Sequence, residues 1–262
     1  MGSATRTALQ QLGAHAENSS KKSNLGLAGE LFAAQNALGS SGQLLSVIAD
    51  AAIEPEQKKA LLDSLFPSFG AEAKKILLDA ATASWSRKRD LLSGLETSGI
   101  RIATGAESEH VVDELYALLE LVSTNAELEL ALNDKLAEPA TRSALVEQLF
   151  AKQLSPATLA IVQQLVAQPR GRRFTKLIHQ AAEIVAEHGG FEIAKVTVAK
   201  ALSAEKLVEI EKDLSEDRSK KIKAIQVVTS GALGGIRVQL GHEVLDGTIA
   251  ARLQELRLQL AK

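Results

Sequence analysis

The sequence predicts a mostly α-helical protein: two tandem helical-bundle repeats at residues 1–105 and 106–189, then a small mixed α/β domain at 190–262. Three observations lead there. Ala, Leu, Ile and Val dominate an apolar content of 45%, with only six Phe, one Trp and one Tyr beside them. Ala and Leu head the helix-propensity order, so this composition favours helix. The chain also matches itself without gaps at a displacement of 84 positions. Finally, the apolar period changes from helical to extended at Gly189-Gly190.

A helix near Ser3–Asn18 opens the first bundle, and the polar run Asn18-Ser19-Ser20-Lys21-Lys22-Ser23-Asn24 reads as a loop. The self-match then begins. Glu30-Leu31-Phe32-Ala33 lies over Glu114-Leu115-Tyr116-Ala117, Asp50 over Asp134 and Glu54-Pro55 over Glu138-Pro139. Leu65-Phe66 lies over Leu149-Phe150, and Arg89 over Arg173. Between 30 and 89 there are about fourteen identities where this composition gives roughly five by chance, which marks a repeated structural unit. Pro55 and Pro139 suit the first turn of a helix, each after an acid that favours a helix N-terminus. Leu61, Leu62, Leu65 and Phe66 read as one apolar face, repeated by Leu145, Val146, Leu149 and Phe150. The next helices carry Ala73, Ile76, Leu77, Ala80 and Ala81, and Ala157, Ala160, Ile161 and Leu165; Ser155-Pro156 is a cap followed by a first-position proline.

Beyond Gly190, Phe191–Ala199 is rich in Val and Ile and reads as a strand. Ser203 caps a predicted helix through Leu214 with Leu207, Ile210 and Leu214 on one side, residues 215–221 turn, and Ile222–Val228 is a second strand. In the third, Ile236, Val238 and Leu240 alternate with Arg237 and Gln239, the period-two pattern of a half-buried strand. Gly234-Gly235 enter it and Gly241 leaves it, so both ends need tight turns. Asp246-Gly247-Thr248 then starts a predicted helix with the stripe Ile249, Leu253, Leu256 and Leu260.

A net charge of -2 supplies no whole-chain field toward nucleic acid or anionic lipid. With no cysteine, disulfides, thiolate catalysis and cysteine metal sites are excluded. No apolar run approaches the roughly 18 residues of a membrane span. Met1-Gly2-Ser3-Ala4-Thr5-Arg6 has no apolar signal-peptide core, and Arg6 stands where a myristoylation site needs Ser or Thr. Membrane contact is therefore expected only through a partner.

Motifs of chemistry fail on context. Ser230–Gly235 is Gly-rich, but a strand follows it and it lacks the Lys of a phosphate loop. His242-Glu243-Val244-Leu245-Asp246 lacks the second His of a zinc-protease helix, and the five histidines have no ligand spacing. Ser203-Ala204-Glu205-Lys206 is explained by a helix cap. The basic clusters Arg87-Lys88-Arg89 and Arg170-Gly171-Arg172-Arg173 stand at equivalent repeat positions and read as solvated helix starts or a contact to an acidic helix. Trp85 reads as packing, or as the mark of a groove in the first repeat. The sequence thus predicts no catalytic residue, no cofactor and no metal.

The order glycine pair, strand, Gly, strand, Asp-Gly-Thr, helix resembles the C-terminal signature of the delta subunit of F-type ATP synthases, called OSCP in mitochondria. The residues carrying it are Gly234, Gly235, Ile236, Val238, Gly241, Asp246, Gly247, Thr248, Arg252 and Leu253. Just upstream the chain departs from the family: Thr229 replaces an acid, Ser230 a Pro, Gly231 a Ser and Ala232 a Leu. Residues 106–262 look like a whole subunit, and the extra bundle at 1–105 resembles the longer actinobacterial form. The resemblance implies a non-catalytic peripheral-stalk adaptor, peripheral on the cytoplasmic face of the bacterial plasma membrane. It implies as partners the N-terminal helix of an alpha subunit, in a bundle groove, and the C-terminal region of the b subunit, on the α/β domain. It implies no nucleic acid. Two other classes stay open: a helical-repeat scaffold with unrelated partners, and a phosphate- or small-molecule-binding enzyme built on the Gly-rich turn.

Overall fold

The computed structural model describes residues 2–19, 23–134, 136–216, 218–229, 235–241 and 243–247. Two compact units emerge, Met1–Val185 and Ala186–Lys262.

The first unit is helical: α1 Ser3–Ser19, α2 Leu25–Ser40, α3 Gly42–Ile48, α4 Pro55–Leu65, α5 Ala71–Thr82, α6 Asp90–Thr104, α7 Ser108–Thr124, α8 Ala126–Leu132, α9 Pro139–Phe150, α10 Pro156–Ala167 and most of α11 Phe174–His188. Each of α7–α11 starts within one residue of 84 positions after its counterpart among α2–α6. The starts recur because their signals recur. Ser41 caps α3 by accepting the Leu44 N–H at 3.2 Å, and Asn125 caps α8 by accepting the Leu128 N–H at 3.1 Å. Pro55 and Pro139 occupy first-turn positions, where a missing N–H costs nothing.

Ala73, Ile76, Leu77, Ala80 and Ala81 are buried, as are Ala157, Ile161 and Leu165. The stripes of α4 and α9 are narrower than the sequence predicts. Leu62 and Phe66, like Val146 and Phe150, face inward four residues apart, whereas Leu65 and Leu149 are 39% and 44% exposed. One position from Phe66 is a rotation of about 100° on a helix, which carries both leucines off the buried face.

α6 is buried nearly all round, with eleven of its fifteen residues inside. It packs against α1, α2 and α5 of the first repeat and α10 of the second. The α1–α5 pairing recurs as α6–α10, so α6 both closes the first bundle and takes the place of an opening helix in the second. Glycines permit this crowding. A Cβ at Gly99 would overlap the Phe32 ring, and one at Gly94 the Trp85 ring. Trp85 is therefore a packing residue against α6, its Nε1–H donating to the Ala80 carbonyl at 2.8 Å. Gly99→Ala is expected to lower unfolding stability by about 1–3 kcal/mol through overpacking, read as a lower urea midpoint. An unchanged midpoint would mean that Phe32 yields freely.

The second unit carries β1 Phe191–Val198, α12 Ala204–Glu216, β2 Lys221–Val228, β3 Ile236–Leu240 and β4 Glu243–Asp246. The sheet order is β2-β1-β3-β4, with β1 and β2 parallel and the other pairs antiparallel. α12 is the crossover between the parallel strands. Ala194, Val196 and Val198 of β1 point to one side, where Leu202, Leu207, Ile210 and Leu214 pack over the sheet. α12 also covers the free edge of β2. Glu211 Oε1 accepts the Ala224 N–H at 2.8 Å and Ser215 Oγ the Ile222 N–H at 3.1 Å, so these outward donors are satisfied. The predicted C-terminal helix with its stripe Ile249, Leu253, Leu256 and Leu260 lies outside the described residues.

Candidate functional site: a buried joint between the helical repeats

The most concentrated polar constellation in the helical unit lies where the repeats meet. Glu96 sits mid-way along α6 with its side chain only 4% exposed. It is buried because α6 has neighbours on every side, and two guanidinium groups converge on it. Arg172 grips both oxygens, Nη1 to Oε1 at 2.9 Å and Nη2 to Oε2 at 2.8 Å; Arg170 Nη2 donates to Oε1 at 2.7 Å. Bidentate, charge-assisted contacts of this kind are among the strongest protein hydrogen bonds.

Local backbone chemistry aims these arginines. Pro169-Arg170-Gly171-Arg172 is a tight turn closed by the Arg172 N–H donating to the Pro169 carbonyl at 2.9 Å. Arg170 and Gly171 stand at φ 49° and 78°, and Arg170 is the one non-glycine residue at positive φ among the described residues. Left-handed backbone without glycine costs on the order of 1–3 kcal/mol and persists only where its surroundings hold it. Here the Glu96 contact and the Arg170 Nη1 to Ser93 Oγ bond at 2.8 Å do so. Burial pulls the Arg170 guanidinium below its usual range, and Glu96 opposes that shift.

Amides extend the joint. Gln35 of α2 donates to Glu96 Oε2 at 3.3 Å and accepts from Gln164 of α10 at 2.9 Å. Gln164 and Asn36 exchange two bonds at 2.8 and 3.1 Å, and Arg172 reaches Gln180 of α11 at 2.8 Å. These donors and acceptors are directed at one another, so the arrangement holds two repeats together and presents no nucleophile to a substrate.

The sequence reading missed Glu96. Its signal was an acid alone in an apolar run, Leu91-Leu92-Ser93-Gly94-Leu95-Glu96. The basic clusters also divide. Arg87, Lys88 and Arg89 are solvated as read, whereas Arg170 and Arg172 make the contact to an acid.

Each repeat has a second device. Glu30 of α2 accepts the Gly70 N–H at 3.0 Å at the start of α5. Its counterpart Glu114 of α7 does the same for α10, accepting Ser155 N–H at 2.8 Å, Ser155 Oγ at 2.6 Å and Thr158 Oγ1, with His110 Nε2 at 3.2 Å. Burial alone would raise the Glu114 carboxyl, but the Ser155 and Thr158 bonds and His110 together bring it below its ordinary 4.5. Stability from a lowered carboxyl is present above the unfolded value and lost as pH falls through the folded one. Glu114→Gln is therefore expected to flatten the acid limb of the stability curve below about pH 4.5. Urea midpoints between pH 6 and 3 check this (about pH 6 marks the plateau), and an acid limb as steep as the parent's would refute it.

In the second unit, Gly235 precedes β3 at φ 86° and Gly241 follows it at φ 56°, both in left-handed backbone. Ile236 and Val238 pack on the β1 core. Asp246 faces Arg237 in register, and the Gly247 N–H donates to the Ile236 carbonyl at 2.9 Å. A Cβ at Gly247 would stand 3.1 Å from that carbonyl oxygen. Gly234, Thr248 and Leu253 lie outside the described residues.

Comparison with known proteins meets the same C-terminal region. Residues 100–260 match the family model "ATP synthase delta (OSCP) subunit". The chain is 39% identical over 264 residues to the ATP synthase subunit delta of Leifsonia xyli, covering 100% of both. It is 34% identical to that of Acidothermus cellulolyticus, over 88% of this chain and 87% of that one. A chain of the Toxoplasma gondii mitochondrial ATP synthase hexamer superposes with TM-score 0.40 at 19% identity, over 64% of this chain and 96% of that one. The family match begins inside α6, the helix that both repeats use. With full-length relatives at this identity and most of the chain inside the family model, the protein belongs to the ATP synthase delta (OSCP) subunit family.

Proposed function

We propose that this subunit is a non-catalytic stator adaptor, tying the alpha/beta catalytic head of an F-type ATP synthase to the b-subunit stalk. Membership of the delta family carries the reading. Two physical features support it. A stator part resists torque by stiffness, and the repeats are bound through a buried charged joint and a shared helix. It also needs separate attachment points, and two compact units offer them.

In this reading the chain works as three domains, 1–105, 106–189 and 190–262. A helical bundle holds the N-terminal helix of an alpha subunit, helix in groove. The α/β domain holds the C-terminal region of the b subunit, with Gly234, Gly235, Ile236, Val238, Gly241, Asp246, Gly247, Thr248 and Leu253 shaping that end. The protein binds no nucleic acid and sits on the cytoplasmic face of the plasma membrane through the complex. No helix among the described residues is long and apolar enough to cross a membrane.

Titration of the full-length chain with an alpha N-terminal peptide and, separately, with the soluble part of b tests the reading. Saturable binding of both supports it. Binding of neither would leave the alternative, a helical-repeat scaffold with unrelated partners.

A further inference from the structure

The two repeats differ on one stretch of surface. Leu121, Leu130 and Leu136 are 45%, 73% and 95% exposed. The positions 84 residues earlier hold Ala37, Ser46 and Ala52. One exposed Leu needs no explanation, but three along one short stretch, where the sister repeat exposes a single large apolar residue, Val47, mark a surface meant to be covered. They occupy consecutive elements: the last turn of α7, helix α8 and the loop before α9. Asn125 caps α8, and Asp134 Oδ1 accepts the Leu136 N–H at 2.8 Å, which turns the loop.

Charge identifies the occupant. Glu120, Glu127, Asp134 and Glu138 are exposed and Glu129 half-buried around these leucines. In the first repeat the places of Glu120, Glu127 and Glu129 are taken by Asn36, Gln43 and Leu45, while Asp134 and Glu138 keep acidic counterparts in Asp50 and Glu54, so the second repeat carries three more acids on this stretch. Within α8, Glu127 is three residues before Leu130, a spacing that brings helical side chains to one side.

We infer that this surface docks an amphipathic helix of a partner protein, with Leu or Ile on one side and Lys or Arg beside it. A second copy of the chain would set acids against acids. The elements are separate from the Glu96 joint, and the inference stands whether or not the stator reading does.

The test uses the full chain with a fluorescent Leu/Lys amphipathic peptide and its Leu/Glu counterpart, read by anisotropy. The Leu/Lys peptide is expected to bind and the Leu/Glu peptide not. Leu130→Ser with Leu136→Ser, and Glu120→Lys with Glu127→Lys, are each expected to weaken binding by about tenfold or more. These exposed changes should leave the thermal transition in place. Leu65→Ser with Glu56→Lys, on the first repeat, should leave affinity within about twofold. Equal binding of both peptides, loss as large in the first-repeat control, or affinity kept in either second-repeat variant would overturn the inference. So would a dimer in sedimentation that the leucine variant abolishes, since that assigns the surface to a second copy.

Discussion

Glu96→Ala is expected to lower the unfolding free energy of the helical unit by about 3–5 kcal/mol, the cost of breaking a buried ion pair from one side. The size follows from what is left behind. Arg170 and Arg172 would face each other without the carboxylate that both now grip at 2.7–2.9 Å, and Gln35 would lose its acceptor. Glu96→Gln keeps an oxygen that accepts but loses the charge, so its loss should be smaller. Glu120→Ala, on an exposed position, should stay within about 0.5 kcal/mol. Urea midpoints give the magnitudes. Hydrogen exchange gives the location: protection should fall in α6, α10 and the turn at 169–172 together, because the joint couples the repeats. A parent-like midpoint and exchange pattern for Glu96→Ala would show that the joint carries no load.

Val196→Asp is expected to unfold the second unit and spare the first. Val196 is 0% exposed in β1, which is bonded to β2 on one side and β3 on the other. The new carboxylate would lie among the apolar side chains of Val198, Ala224, Leu207 and Ile210. An unpaired buried charge is one of the few single changes that cost about 4 kcal/mol or more, and so small a sheet has little stability to lose. Trp85, the sole tryptophan, packs against α6, so its fluorescence reports the helical unit alone. Its urea midpoint should not move, while exchange protection of β1–β3 disappears. On the proposed function, b binding is lost and alpha binding kept. Loss of both transitions together would mean that the units fold as one.

Much of the helical architecture was legible because its signals are local. Pro55 and Pro139 start helices by their own chemistry, and Ser155 announces a cap. The glycines flanking β3 were legible for a similar reason: Gly235 and Gly241 occupy positive φ, which side chains avoid. The joint was not legible because it is made by tertiary juxtaposition. Glu96 and Arg170–Arg172 stand more than seventy positions apart, and only the placement of α6 between the repeats makes an acid in an apolar run meaningful. The exposure of Leu65 and Leu149 was missed likewise. A stripe read from sequence says which residues share a side, while neighbours decide how wide a strip is covered.

The division of labour within the helical unit follows from α6. A helix used by both repeats cannot be cut between them without leaving one bundle short. On the proposed function, the repeats are therefore expected to carry load as one body.

On the proposed function one chain bridges head and stalk. Mixing purified catalytic head, the soluble part of b and this subunit, and weighing the products by size-exclusion light scattering, tests that bridge. A three-component complex should form with the subunit present, and head and b should stay separate without it. A head–b complex that forms equally well in its absence, or a subunit that elutes alone, would contradict that bridge.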